Sequence, residues 1–130
     1  MRVPATCPCG SGRDYGECCG ALHAGKAATD AEALMRSRYS AYALGLGDYL
    51  ARSWHASTLP RDFSLHLDAP PPLTWLGLDI KHCRDYGPGA AEVEFVARYR
   101  VGGGSATRLH ECSRFIREDG HWFYLDGVHL

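Results

Sequence analysis

Apolar side chains recur at helical spacing between residues 29 and 55, alternate between 73 and 127, and show neither period before residue 25. In the first stretch Ala31, Leu34, Met35, Tyr39 and Tyr42 form one stripe, from which Arg36, Ser37 and Ser40 fall away. Thr29 precedes Glu32 by three residues, the capping-box spacing that satisfies orphan amides, and it predicts the helix start. Gly45 predicts the stop, because glycine adopts the left-handed cap without strain. A shorter helix is predicted from Asp48 to about Trp54. Pro60 and the run Pro70-Pro71-Pro72 predict an ordered or extended connection over 56–72, since proline neither donates to a ladder nor continues a helix.

The last third predicts an antiparallel meander. Strands are expected over Leu73–His82, Ala91–Val101, Thr107–Arg117 and His121–Asp126. In the second, Val93, Phe95, Ala97 and Tyr99 share one face, and Glu92, Glu94 and Arg98 the other. Gly102-Gly103-Gly104 supplies one turn, and Asp119-Gly120 is a strong hairpin signal. Helices followed by a curved antiparallel sheet make an α+β arrangement, with the longer helix laid across the concave face to bury its stripe.

Composition narrows this picture. The 130 residues are 45% hydrophobic and 22% charged, which fits one core with a small appendage. A net charge of −1 gives no strong nucleic-acid signal and no pull towards an anionic membrane. No apolar run is long enough to span a bilayer and no signal peptide is visible, so the cytoplasm is the expected compartment.

The first 25 residues carry the chemistry. Cys7-Pro8-Cys9-Gly10-Ser11-Gly12 is followed by Cys18-Cys19-Gly20. Two close thiol pairs joined by a short loop suit one structural zinc per chain, held by Cys7, Cys9, Cys18 and Cys19 in a closed tetrahedron. Disulfides or inert thiols compete with this reading. Against them stand a reducing compartment and the strain of a bridge between adjacent cysteines. Arg13, inside the loop, is a candidate to offset the excess thiolate charge. Cys83 and Cys112 are expected as small buried thiols.

The cysteine stretch closely resembles the SEC-C motif, known from the C-terminal tail of the preprotein translocase ATPase SecA. There it binds zinc and contacts partner proteins, the chaperone SecB among them. Cys19 stands where some members have His. The runs Leu34–Tyr42, Val93–Tyr99, His110–Phe115 and Asp119–Gly127 resemble the bacterial YchJ-like proteins. The resemblance implies a SEC-C motif over 1–25 and, over 26–130, a nuclear transport factor 2-like (cystatin-like) domain whose curved sheet wraps a helix and leaves a cone-shaped pocket.

Candidate pocket residues are polar or aromatic groups among apolar neighbours: Arg38, Tyr39 and Tyr42 on the helix; Trp75, Glu94, Glu111, Ser113, Trp122 and Tyr124 on the strands. Arg38 is expected either to reach solvent or to pair with a carboxylate, Glu94 or Glu111. The aromatic residues are either pocket walls or ordinary core. His55 and His110 are candidates for acid or base chemistry, against a purely structural role. No Ser-His-Asp order or His-Glu-x-x-His motif appears. Two functions follow, set against a third reading in which the zinc lobe is purely structural on an orphan domain. One is a zinc-containing binding or adaptor module whose knuckle docks a protein or ribosomal partner and whose pocket domain holds a ligand or a second partner. The other is a small pocket enzyme using acid/base chemistry.

Overall fold

Four strands form one antiparallel sheet in sequential order: β1 (Leu73–Asp85), β2 (Ala90–Val101), β3 (Thr107–Glu118) and β4 (His121–His129). The computed structural model describes residues 5–61, 63 and 73–130. The Pro70-Pro71-Pro72 run lies outside the described residues. A single 3₁₀ turn (Tyr15–Glu17) and three helices precede the sheet: α1 (Cys19–His23), α2 (Ala31–Leu44) and α3 (Gly47–Arg52). No helix among the described residues is long and apolar enough to cross a membrane.

The α+β expectation holds, and α2 lies on the concave face. Leu34, Met35 and Tyr39 pack with Val93, Phe95, Ala97 and Phe115 in one buried cluster. Cross-strand partners fix the faces. Phe95 opposes Glu111 and Val93 opposes Ser113 on the concave side, while Glu94 opposes Cys112 on the convex side. The β3–β4 hairpin turns through Asp119 and Gly120, at φ 52° and 80°, the pair of positive values that a two-residue hairpin turn of matching twist requires. The first strand runs three residues further than expected, to Asp85, and β4 runs on to His129. Register breaks at Trp75/Gly77 and Ile80/His82 bend β1.

Three expectations need correction. First, the cap of α2 is Asp30, not Thr29. The Asp30 side chain accepts from the Ala33 amide at 2.8 Å. Glu32 reaches forward to Arg36 at 2.9 Å instead of back to the cap. Second, Ser37 and Ser40 are fully buried rather than falling away from the core. The cysteine lobe and α3 cover the side of α2 that the sheet does not. Ser37 Oγ lies 2.7 Å from the Tyr49 hydroxyl, and Ser40 Oγ lies 3.6 Å from Cys7 Sγ. A helix packed all round shows its polar residues to protein rather than to water, provided each finds a partner. Third, α3 ends at Arg52, and Trp54 joins a parallel bridge to Tyr124. Gly45 closes α2 at φ 75°, as expected.

Candidate functional site

The chain before α2 folds around its own sulfurs. Thr6 and Asp14 form an antiparallel bridge, and the Cys7 amide donates to the Arg13 carbonyl at 2.9 Å, closing a loop over residues 7–13. The chain then turns through Tyr15–Glu17 into α1, which begins at Cys19. The result brings the Sγ atoms of Cys7, Cys9, Cys18 and Cys19 within 4.8 Å of one another. A zinc–thiolate bond of about 2.3 Å implies tetrahedron edges of about 3.8 Å, and the Cys9 and Cys18 sulfurs stand 3.6 Å apart. These four thiols fit a metal ion. Cys7, Cys9 and Cys19 are buried and Cys18 is half-buried.

The electrostatics favour ionisation at one sulfur first. The Cys19 thiol and the Ser11 hydroxyl, outweighing burial, hold Cys9 down at about 4. The Cys9 charge and burial push Cys19 up. A dication at the centre reverses that repulsion and lets the remaining thiols ionise. The cation beside the cluster is Arg36 rather than Arg13. Arg36 Nη1 donates to the Cys9 carbonyl at 3.0 Å, whereas the exposed Arg13 donates to the Glu17 carbonyl. His23 is a further residue that sequence reasoning missed. It ties the lobe to the main helix, with Nδ1 2.5 Å from the Tyr15 hydroxyl and Nε2 2.8 Å from the Ser37 carbonyl. Its proximity to Cys19 was the only signal, because nothing in its spacing marks a tie to α2.

A cavity of about 280 Å³ opens between α2 and the concave face of the sheet. Arg38, Tyr39 and Tyr42 border it from the helix, and Trp75, Glu111, Ser113 and Tyr124 from the strands. Met35, Phe95, Ala97 and Leu109 fill the remaining wall. Two candidates lie elsewhere. Glu94 is on the convex face, where it meets His110 Nε2 at 2.8 Å. Trp122, near the hairpin end of β4, lines a separate cleft with Leu22 and Leu34. Neither histidine borders the cavity, since His55 bonds Glu118 at 2.9 Å and His110 bonds Glu94.

The expected Arg38–carboxylate pair does not form among the described residues. Arg38 is 4% exposed, and its Nη1 donates to the Leu50 carbonyl at 2.9 Å and to Ser53 Oγ at 2.7 Å. Its guanidinium carbon lies 5.1 Å from the Trp54 ring centre and 4.5 Å from that of Tyr124. The end of α3 supplies the Leu50 carbonyl, which Ser53 Oγ also reaches at 3.3 Å, and the aromatic rings supply a negative face. The two remaining cysteines also depart from expectation. Cys83 is exposed and Cys112 half-buried. Cys83 stands 3.5 Å from Glu32, and burial together with that carboxylate raises its thiol to about 11. Cys112 shares the convex face with Glu94 and lies 3.6 Å from Glu92.

Comparison with known proteins places this geometry. The model of the YchJ middle NTF2-like domain matches residues 30–127, and that of the SEC-C motif matches residues 4–21. The chain belongs to the YchJ-like family. A UPF0225 protein of Xanthomonas campestris pv. campestris is 58% identical over 93% of this chain and 92% of its own length. A UPF0225 protein of Ralstonia nicotianae is 53% identical over 95% and 90%. Among solved structures, a SEC-C motif-containing protein from Rhodopseudomonas palustris, studied in solution, superposes with a TM-score of 0.81 at 36% identity. That match covers 96% of this chain and 98% of the other. The crystal structure of a SEC-C motif-containing protein from Psychrobacter arcticus gives 0.72 at 25% identity, over 95% and 82%. This YchJ-like chain therefore joins a cysteine cluster able to hold a metal ion to an NTF2-like body with a cavity beneath its main helix.

Proposed function

We propose that the protein is a zinc-stapled binding module: four thiolates hold one zinc that pins the knuckle to α2, and the cavity under α2 takes a small ligand. The observation that carries this reading is the cavity itself, apolar in its walls yet bordered by Arg38 and Glu111. Pockets that combine apolar walls with a few placed polar groups are where small ligands bind. Zinc is the metal of choice for four cysteine sulfurs, and a site with four protein ligands is structural. Thiolates kept free for metal need a reducing compartment, which favours the cytoplasm.

A specific feature also supports docking of a protein or ribosomal partner on the knuckle. Cys18 is half-exposed beside a groove bordered by Arg13, Glu17, Lys26 and Glu32, which offers both signs of charge to a polar partner surface. Two measurements test the whole. Native mass spectrometry of protein purified without chelator is expected to give one zinc per chain. A reduced, folded chain without zinc sinks the staple. NMR titration with p-cresol is expected to move the Trp75 indole resonance saturably. A cavity that admits neither p-cresol nor any charged relative of it is not a ligand site.

A further inference from the structure

The cavity holds two opposite charges that are not spent on each other. Arg38, 4% exposed, donates among the described residues from Nη1 to two neutral oxygens, with the Tyr42 hydroxyl also beside it, which leaves donors on Nη2 and Nε for a further acceptor. Among the described residues it belongs to no ion pair. Glu111 enters from β3 with a side chain only 14% exposed. One of its oxygens accepts from Ser113 Oγ at 2.6 Å, and the other lies 3.8 Å from the exposed His129 ring. Both charges act on Tyr124. Burial and the Glu111 charge together push its hydroxyl up to about 12, and Arg38 opposes them. A cation and an anion thus flank the same tyrosine inside one small cavity.

From this placement we propose that the cavity binds a small zwitterion with an apolar body, an amino acid with an aromatic or branched side chain. Its carboxylate meets Arg38 and its ammonium meets Glu111. The inference rests on the reading of the cavity as a ligand site and names its ligand class. A desolvated charge without a counter-charge is costly, and a ligand bearing both signs relieves both ends at once. A ligand with one charged group relieves one end and leaves the other desolvated. Guanidinium and carboxylate also match in shape, which favours a carboxylate at Arg38. Tyr42 and Trp75 offer ring faces to an apolar body and to an ammonium. At about 280 Å³ the cavity lies at the small end of ligand pockets, a size for an amino acid rather than a nucleotide.

The test uses the full zinc-loaded chain and four kinds of ligand, followed at the Trp75 indole by NMR. These are L-phenylalanine and L-leucine, 3-phenylpropionate without the amine, phenethylamine without the acid, and neutral p-cresol. One of the two amino acids is expected to bind at least about tenfold more tightly than either singly charged analogue, the worth of one charge-assisted contact. Glu111→Gln is expected to erase the advantage over 3-phenylpropionate while the melting temperature and spectrum stay native-like. Equal binding of a singly charged analogue, or entry of p-cresol alone, overturns the zwitterion and leaves the cavity a ligand site of other chemistry. Failure of every compound to reach Trp75 at millimolar concentration overturns both.

Discussion

At the scale of single residues, the seam between the knuckle and α2 depends on a neutral imidazole. His23 has one ring nitrogen on the Tyr15 hydroxyl and the other on the Ser37 carbonyl. A carbonyl only accepts, so Nε2 carries the proton and Nδ1 accepts from Tyr15. Burial, with the nearby Arg52 charge, holds the His23 pKa below its ordinary value, and the bond to Ser37 opposes them. The unfolded chain therefore binds this proton at higher pH than the native one does. Stability is full above the unfolded value of about 6.5 and declines as pH falls from there towards the folded value. An imidazole NMR titration of the zinc-loaded protein is expected to show His23 titrating below the ordinary histidine value. A midpoint at or above the ordinary value means that the ring is charged in the fold and the bond assignment is wrong.

At the scale of elements, α2 is specified by its ends more than by its stripe. Asp30 caps the helix, and Thr29 makes no such contact. Asp30→Ala is expected to cost about 1 kcal/mol, read as a lowered denaturation midpoint with unchanged slope, while Thr29→Ala leaves the midpoint in place. The reverse order of effects restores the capping box. Much of the fold was legible because local chemistry dictated it. Asp119-Gly120 demands a tight hairpin, Gly45 a stop, and alternating Val93, Phe95 and Ala97 a half-buried strand. The paired cysteines dictated the cluster of four thiols in the same way. Ser37 and Ser40 were misread because a helix is judged polar or apolar by what covers it, and the cover here comes from distant cysteines and Tyr49. Glu94 illustrates a different limit. Its own alternation put it opposite Phe95, on the convex face, and its choice as a pocket residue conflicted with that. Arg38 was placed correctly on the helix, but its partners come from α3 and β4, whose approach no spacing reveals.

At the scale of the molecule, the cysteine lobe and the body share one core. Cys7, Cys9 and Cys19 belong to the same buried cluster as Leu34, Tyr39 and Phe115. Metal loss is therefore expected to destabilise the whole chain rather than fray its first 25 residues. Structural zinc in small domains contributes folding free energy comparable to a domain's entire stability. Chelation under reducing conditions is expected to lower the melting temperature by on the order of 10 °C or more, in a single transition, followed by circular dichroism of the sheet. A sheet signal that melts at the same temperature with and without chelator separates lobe from body. The parallel bridge between Trp54 and Tyr124 has a consequence of another kind. The Tyr124 amide donates to the Ser53 carbonyl at 2.9 Å, and the His55 amide to the Tyr124 carbonyl at 2.8 Å. These bonds occupy the outer rim of β4 at its middle, while the two register breaks and Lys81 bend and charge the rim of β1. Neither border of the sheet then offers a long flat template to a newly made chain, a safeguard against fibrous self-association built from the same segment, Ser53 and Trp54, that helps seat Arg38.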